Sequence, residues 1–353
     1  MPRMMRSEIM KRINPKNRSK VRKILNRLIR LVIFIAACVF IFRQVLMKND
    51  LASLAAILEK DIQHPEFLTG LVLVFLLMPG NWGIEAIKWR FLIRKVEDTG
   101  FLKSFQAVLT GISISSFTPN RVGEYFGRVF ILNTASRIEG ILITVVGSMS
   151  QLLVTLLAGS AAFLVFVPRH AGDSLFGHGY FYFGLTALII MLDLMLLALY
   201  FRIPLLVSLR DRLQLPILKR FRKFFRVFGL FRSRELAGVV LLSFARYLVF
   251  STQFYMLLLL FGVKIPYFQA LTLIALVYLI MTILPTVAIT ELGVRGSVAM
   301  YIFGLGMGSP GATDTGFAVF MASAALWVIN LVIPALAGSL LVFRLQFVRK
   351  TDL

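Results

Sequence analysis

From residue 28 onward, six apolar runs are each long enough to cross a bilayer as a helix, which takes about 20 residues. They are Leu28–Met47, Phe67–Ile87, Ile141–Val167, Phe181–Phe201, Leu236–Phe261 and Gly316–Phe343. Charged residues gather between these runs, a pattern that predicts an all-α, polytopic membrane helical bundle.

Two further apolar stretches do not fit a simple span. Phe105–Phe117 is too short to cross, is broken by Thr118-Pro119-Asn120-Arg121-Val122-Gly123-Glu124, and resumes over Tyr125–Leu132. Phe268–Ile289 is interrupted at Pro285 and leads into Thr290-Glu291-Leu292-Gly293-Val294-Arg295-Gly296, then a short arm, Ser297–Phe303, and a glycine-rich loop over 304–316. Half-length arms around Pro/Gly breaks predict two re-entrant helical hairpins, because irregular backbone is tolerated at depth only when buried in protein or facing water. Pro119, Gly123, Pro285 and Gly293 mark the breaks. Each half of the chain then reads span, span, hairpin, span, over 28–167 and 181–343, with an outside loop at 168–180 between them. The first half starts inside and the second outside, so the expected plan is an inverted repeat, in which broken helices build a site near the midplane.

Charge sets the sidedness. The leader, 1–27, and the tail, 344–353, are basic and are placed in the cytoplasm by the positive-inside rule, whereas 48–66 balances its charges and is placed outside. The segment 202–234 sets Leu218, Phe221, Phe225 and Phe228 at helical spacing among Lys219, Arg220, Arg222, Lys223 and Arg226, the pattern of an amphipathic helix on the inner surface. Composition agrees with a membrane class: 58% of residues are hydrophobic and 16% charged, against about a quarter charged in soluble domains. The net charge of +22 falls in clusters beside apolar runs, which points to the anionic leaflet of the cell membrane rather than to nucleic acid. The single cysteine, Cys38, excludes an intramolecular disulfide and a Cys-based metal site. Ile35-Ala36-Ala37-Cys38 resembles a lipoprotein processing site, but the apolar run continues through Phe42, so Cys38 reads as a small helix residue.

Charges inside a membrane are costly and usually functional. The first break holds Arg121 and Glu124, flanked by Thr118 and Arg128; the second holds Glu291 and Arg295. If both tips reach the midplane, two arginines and two glutamates face one another, a set suited to capturing phosphate, with the carboxylates balancing the arginines when no ligand is bound. The alternatives are that these charges only staple the hairpins together, or that Arg121 and Arg128 snorkel to the inner interface, which leaves Pro119 and Gly123 without a role. Asp193 and Arg246 lie mid-span at similar depth and are expected to pair, a contribution to a substrate path being the alternative. Glu85, with Lys88, Trp89 and Arg90, is expected to anchor the second span at the interface. Trp327 and Asn330 are candidates for a cavity wall. His64, His170 and His178 all fall in outside segments, and no P-loop, nucleotide fingerprint, metal spacing or Ser-His-Asp arrangement occurs, so no cofactor, metal or catalytic role is expected.

Ser116-Phe117-Thr118-Pro119-Asn120-Arg121-Val122-Gly123-Glu124, with Arg128 after it, resembles the signature of the lysylphosphatidylglycerol synthetase transmembrane-region family, also called flippase-like domains. That signature runs about Ser-x-x-Thr-Pro-Gly-Arg-Leu-Gly-Glu. Pro285 and Leu292-Gly293-Val294-Arg295 resemble its second motif. Asn120 and Val122 depart mildly; Gly296 stands where the family often has Glu, and Glu291 lies four residues before the arginine instead. The resemblance implies lipid translocation between leaflets. Bifunctional relatives carry a soluble aminoacyl transferase domain, and with the chain ending at Leu353 no lysyl transfer is expected.

The leading expectation is flippase-like translocation of an anionic or phosphate-bearing lipid, without enzymatic chemistry. A membrane-embedded transferase acting on a lipid-linked substrate and a non-transporting membrane organiser are the other classes. The expected partners are membrane lipids with anionic headgroups and an enzyme that supplies the lipid. Oligomeric state stays open, because Gly304, Gly306 and Gly308 fall in a loop.

Overall fold

The computed structural model describes residues 65–116, 118, 121–170, 179–202, 226–284, 288–308 and 313–342, with 24 and 28. The predicted span at 28–47, Pro119, Asn120, Pro285, and most of the leader and of the basic 202–234 segment lie outside the described residues. Among the described residues the fold is all-helical, and five helices are long and apolar enough to cross a membrane.

Four of these are α1 (Pro65–Ile93), α4 (Arg137–His170), α5 (Gly179–Phe201) and α6 (Ser233–Leu260). The fifth runs from α9 (Thr313–Trp327) through a π-helical turn, Val328–Val332, into α10 (Ile333–Val342). Each matches a predicted run to within six residues at either end. Proline opens α1, where the missing N–H costs nothing, and the Glu235 carboxylate accepts the Arg232 backbone N–H at 2.9 Å to fix the start of α6.

The short elements are α2 (Phe101–Ser115), α3 (Gly123–Val129), α7 (Tyr267–Ile283) and α8 (Ala288–Gly306). At 1.5 Å per residue α2 is about 22 Å long and α3 about 10 Å, too short for a hydrocarbon core of about 30 Å. They fold back on each other because glycines let the backbones meet. A Cβ on Gly123 would lie 2.5 Å from Ile114 O, and one on Gly127 2.6 Å from Gly111 Cα. On its other side α2 lies against α10, where a Cβ on Gly338 would come 2.1 Å from Leu109 O.

The second break differs from expectation. The chain leaves helix at Leu284, which is extended (φ −80°, ψ 116°), as the residue before a proline prefers. Helix resumes at Ala288 and runs unbroken to Gly306. Gly293 therefore lies inside α8 and marks no break; it was expected to do so because glycine reads as a breaker, yet a single glycine within a packed helix costs only about 1 kcal/mol.

The core of the bundle is α1 against α6, α6 against α9, α4 against α7 and α8 against α9. By contrast, α5 leans on α4 and exposes Met191, Leu194, Met195 and Leu199. The α1–α2 and α3–α4 connections are locked by Glu97, whose carboxylate accepts the backbone N–H groups of Asn133, Thr134 and Ala135 at 2.8–3.0 Å and pairs with Lys103 at 3.0 Å. Partial burial pushes this carboxyl up, but the backbone donors and Lys103 outweigh it and hold the group at about 2.

Candidate functional site

Two linked charge clusters lie inside the bundle. The deeper one centres on Glu85, one face of α1 carrying Asn81, Glu85 and Lys88 at helical spacing. Glu85 pairs with Lys88 at 2.7 Å, with Arg128 of α3 at 2.8 Å and with Arg246 of α6 at 3.2 Å, and Arg128 also bonds Glu124 one turn earlier. Lys88 Nζ donates to Ser243 Oγ at 3.3 Å, which in turn shares a hydrogen bond with Ser150 at 2.7 Å. Glu85, Lys88 and Trp89 are buried, with the Trp89 ring nitrogen donating to Thr144. The expectation that Glu85, Lys88 and Trp89 form an interfacial anchor is therefore corrected: they sit inside the protein, while Arg90 Nε alone turns to the loop, donating to Thr99 O. The reason is that α1 continues to Ile93, so its interfacial end lies beyond these residues.

The second cluster joins the two breaks. Arg121 Nη2 donates to both oxygens of Glu291, at 2.7 and 3.0 Å, and Arg295 Nη2 donates to Glu291 Oε1 at 2.6 Å. Arg121 has φ 55°, a left-handed conformation that costs a non-glycine residue about 1–2 kcal/mol. Thr118 stabilises the turn by accepting the Gly123 backbone N–H on its hydroxyl at 2.8 Å. This arrangement brings Arg121, Glu291 and Arg295 together as expected of facing breaks, whereas Glu124 belongs to Arg128 and the deeper cluster.

Both clusters border one cavity of about 580 Å³. Its charged walls are Arg121, Arg246, Arg295 and Glu291; Asn81, Gln151 and Asn330 add amides, and Trp82, Tyr278 and Trp327 add aromatic faces. Arg246 is the bridge, since it lines the cavity, reaches Glu85, donates through Nε to Asn81 at 3.1 Å and lies 4.8 Å over the Trp82 ring. A chain of amides holds the wall behind it. Asn81 donates to Asn330 at 3.1 Å, Asn330 to Gln253 at 2.8 Å, and Gln253 to Val74 O at 2.7 Å. Asn330 sits in the π-helical turn, a feature that is frequent at functional sites. At the broken end of α7 the lining residues Ile283 and Leu284 are exposed.

The predicted Asp193–Arg246 pair is absent among the described residues. Asp193 accepts from Ser160 at 3.1 Å on the neighbouring α4, while Arg246 points the other way, into the bundle. Similar depth on two helices did not fix which faces meet. Trp327 and Asn330 do line the cavity. Sequence reasoning missed Asn81, Gln151, Gln253 and Ser243, although each is a polar residue within an apolar run, and Asn81, Glu85 and Lys88 repeat every three or four residues.

A family model described as the lysylphosphatidylglycerol synthase TM region matches residues 27–333 of this chain. No curated protein and no solved structure matches it.

Proposed function

Because the chain belongs to the lysylphosphatidylglycerol synthase TM-region family, a family of multi-pass membrane proteins, we propose that it moves an anionic, phosphate-bearing lipid between the leaflets of the cell membrane. The observation that carries this reading is the cavity wall, where, among the described residues, three arginines stand against a single carboxylate. Arginine binds carboxylate and phosphate with the same fork of donors. Glu291 is thus a stand-in that an incoming phosphate displaces from Arg121 and Arg295, and that returns when the cargo leaves. The exposed Ile283 and Leu284 beside these charges suit acyl chains that stay in the bilayer while the headgroup crosses.

In this reading α2–α3 and α7–α8 are the two re-entrant hairpins of an inverted repeat, and both termini are cytoplasmic. Support comes from a repeated feature: each second arm opens with Glu and Arg four residues apart, Glu124 with Arg128 and Glu291 with Arg295. Rocking of one half against the other would expose the cavity to either leaflet. The residues bind and release charge and make no covalent bond. The lipid would be supplied by a separate enzyme.

The test is leaflet exchange of headgroup-labelled phospholipids in proteoliposomes. The wild type should exchange anionic lipid rapidly, and an Arg121→Ala/Arg295→Ala double variant that remains folded should not. Equal exchange by both would remove the cavity arginines from the mechanism.

A further inference from the structure

We infer that the head this cavity is built for carries two negative charges, as in a phosphate monoester or diphosphate, rather than the single charge of a phosphodiester. The inference rests on the translocation reading for its lipid cargo. Its grounds are the charge balance and the donor balance of the buried network.

Every charged group of the two clusters is tied to the others by ion pairs or by the shared cavity. The cations are Lys88, Arg121, Arg128, Arg246 and Arg295; the carboxylates are Glu85, Glu124 and Glu291. Among the described residues, five cations against three carboxylates leave a surplus of two positive charges, however the individual pairs are drawn. Uncompensated charge is expensive where water is scarce, so the loaded cavity becomes neutral only when the ligand brings two negative charges. A phosphodiester headgroup brings one. A zwitterionic head brings no net charge and leaves the surplus of two in place.

The donors point the same way. Among the described residues Trp82 Nε1, Tyr278 Oη and Arg295 Nε are buried without a hydrogen-bond partner, and all three residues line this cavity. Arg121 uses only Nη2 on Glu291, and its side chain is 40% exposed. Such a surplus of donors fits a ligand made of acceptors. A phosphate monoester offers three strong acceptor oxygens and nearly two charges at neutral pH.

Binding tests the charge and exchange tests the movement, so the two can fail separately. Trp82 and Trp327 line the cavity, so tryptophan emission of the purified protein in detergent can follow titration with short-chain phosphatidic acid, phosphatidylglycerol and phosphatidylcholine. Phosphatidic acid should bind at least about tenfold more tightly than phosphatidylglycerol. In Arg121→Gln, which leaves Glu291 paired with Arg295, the surplus drops to one and that gap should narrow. Equal affinity for the two lipids, or a gap unchanged in Arg121→Gln, overturns the inference. Glycerol phosphate binding as tightly as phosphatidic acid would assign the site to a soluble phosphate and overturn the lipid assignment. Preferential binding of phosphatidic acid without leaflet exchange would uphold the two-charge head and sink translocation; exchange of phosphatidylglycerol as fast as phosphatidic acid would do the reverse.

Discussion

Arg121 and Glu291, 170 residues apart in sequence, meet with one guanidinium nitrogen shared between both carboxylate oxygens at 2.7 and 3.0 Å. The contact joins the first chain break to the helix that follows the second. It also borders the cavity, where the proposed function makes it a displaceable counter-ion and a structural role makes it a latch. A structural staple and a displaceable counter-ion make different demands on these two side chains, and the difference can be measured.

Exchanging the two charges, in Arg121→Glu/Glu291→Arg, keeps an ion pair in the same place. If the pair were only a staple, the exchanged protein would recover both thermal stability and leaflet exchange. The site reading predicts recovery of much of the melting temperature lost by either single variant, with exchange still reduced at least about tenfold, because the guanidinium no longer stands where the phosphate must land. Melting in detergent and exchange in proteoliposomes on the same preparations decide it.

Glu85 makes a stability prediction of another kind. Its carboxylate is shared by Lys88, Arg128 and Arg246 at 2.7–3.2 Å in the interior of the bundle. Glu85→Gln leaves three cations together with too little compensation, and breaking such a buried set costs about 3–5 kcal/mol. The expected result is loss of the monodisperse peak on size exclusion in detergent. Removing one cation as well, in Glu85→Gln/Lys88→Met, should restore much of the folded fraction; a double variant as unstable as the single one would argue against charge balance as the cause.

The spans were legible because hydropathy over about 20 residues is set by the bilayer itself. Phe181–Phe201 and Leu236–Phe261 coincide with α5 and α6 to within three residues. The first break was legible through Pro119 and Gly123, and its charges through their cost in lipid. The rotation of each helix was not legible. Glu85 was assigned to the interface because charge near the end of an apolar run usually sits there, yet α1 runs eight residues further. Asp193 and Arg246 share a depth, but depth along a helix does not say which way a side chain faces, and Arg246 found Glu85 on α1 instead. The second break was misplaced towards Gly293 because glycine and charge together imitate a loop; Pro285, through its effect on Leu284, was the stronger signal.

Glycine supplies a contrast within one protein. Gly123 and Gly127 stand where a Cβ would reach backbone atoms at 2.5 and 2.6 Å, whereas a Cβ at Gly293 would meet nothing within 4 Å. Gly123→Ala and Gly127→Ala should each prise α3 from α2 and lower stability by roughly 2 kcal/mol or more. Gly293→Ala, inside α8, should be neutral or stabilise by up to about 1 kcal/mol. Melting curves of the three variants test this, and a destabilised Gly293→Ala would mean that α8 must bend there.

Glu97 carries the pH prediction, since it lies in the loop between α1 and α2, outside the spans. Its folded carboxyl sits near 2, against an ordinary value of 4.5. Between those values the unfolded chain takes up a proton that the folded one refuses, so stability falls as the pH falls. The stabilisation from Glu97 is complete above about pH 4.5 and drains away towards pH 2. Glu97→Gln removes the charge while keeping the shape, and should cost roughly 1–3 kcal/mol at neutral pH, where three consecutive backbone donors lose their ionised acceptor. The difference in melting temperature between wild type and Glu97→Gln should therefore be largest at about pH 6–7, where the carboxyl is ionised in both states, and should shrink steadily as the protein is acidified. A difference that stayed constant down to pH 3 would mean that the loop is held by contacts other than the carboxylate, and that Asn133, Thr134 and Ala135 find their acceptors elsewhere.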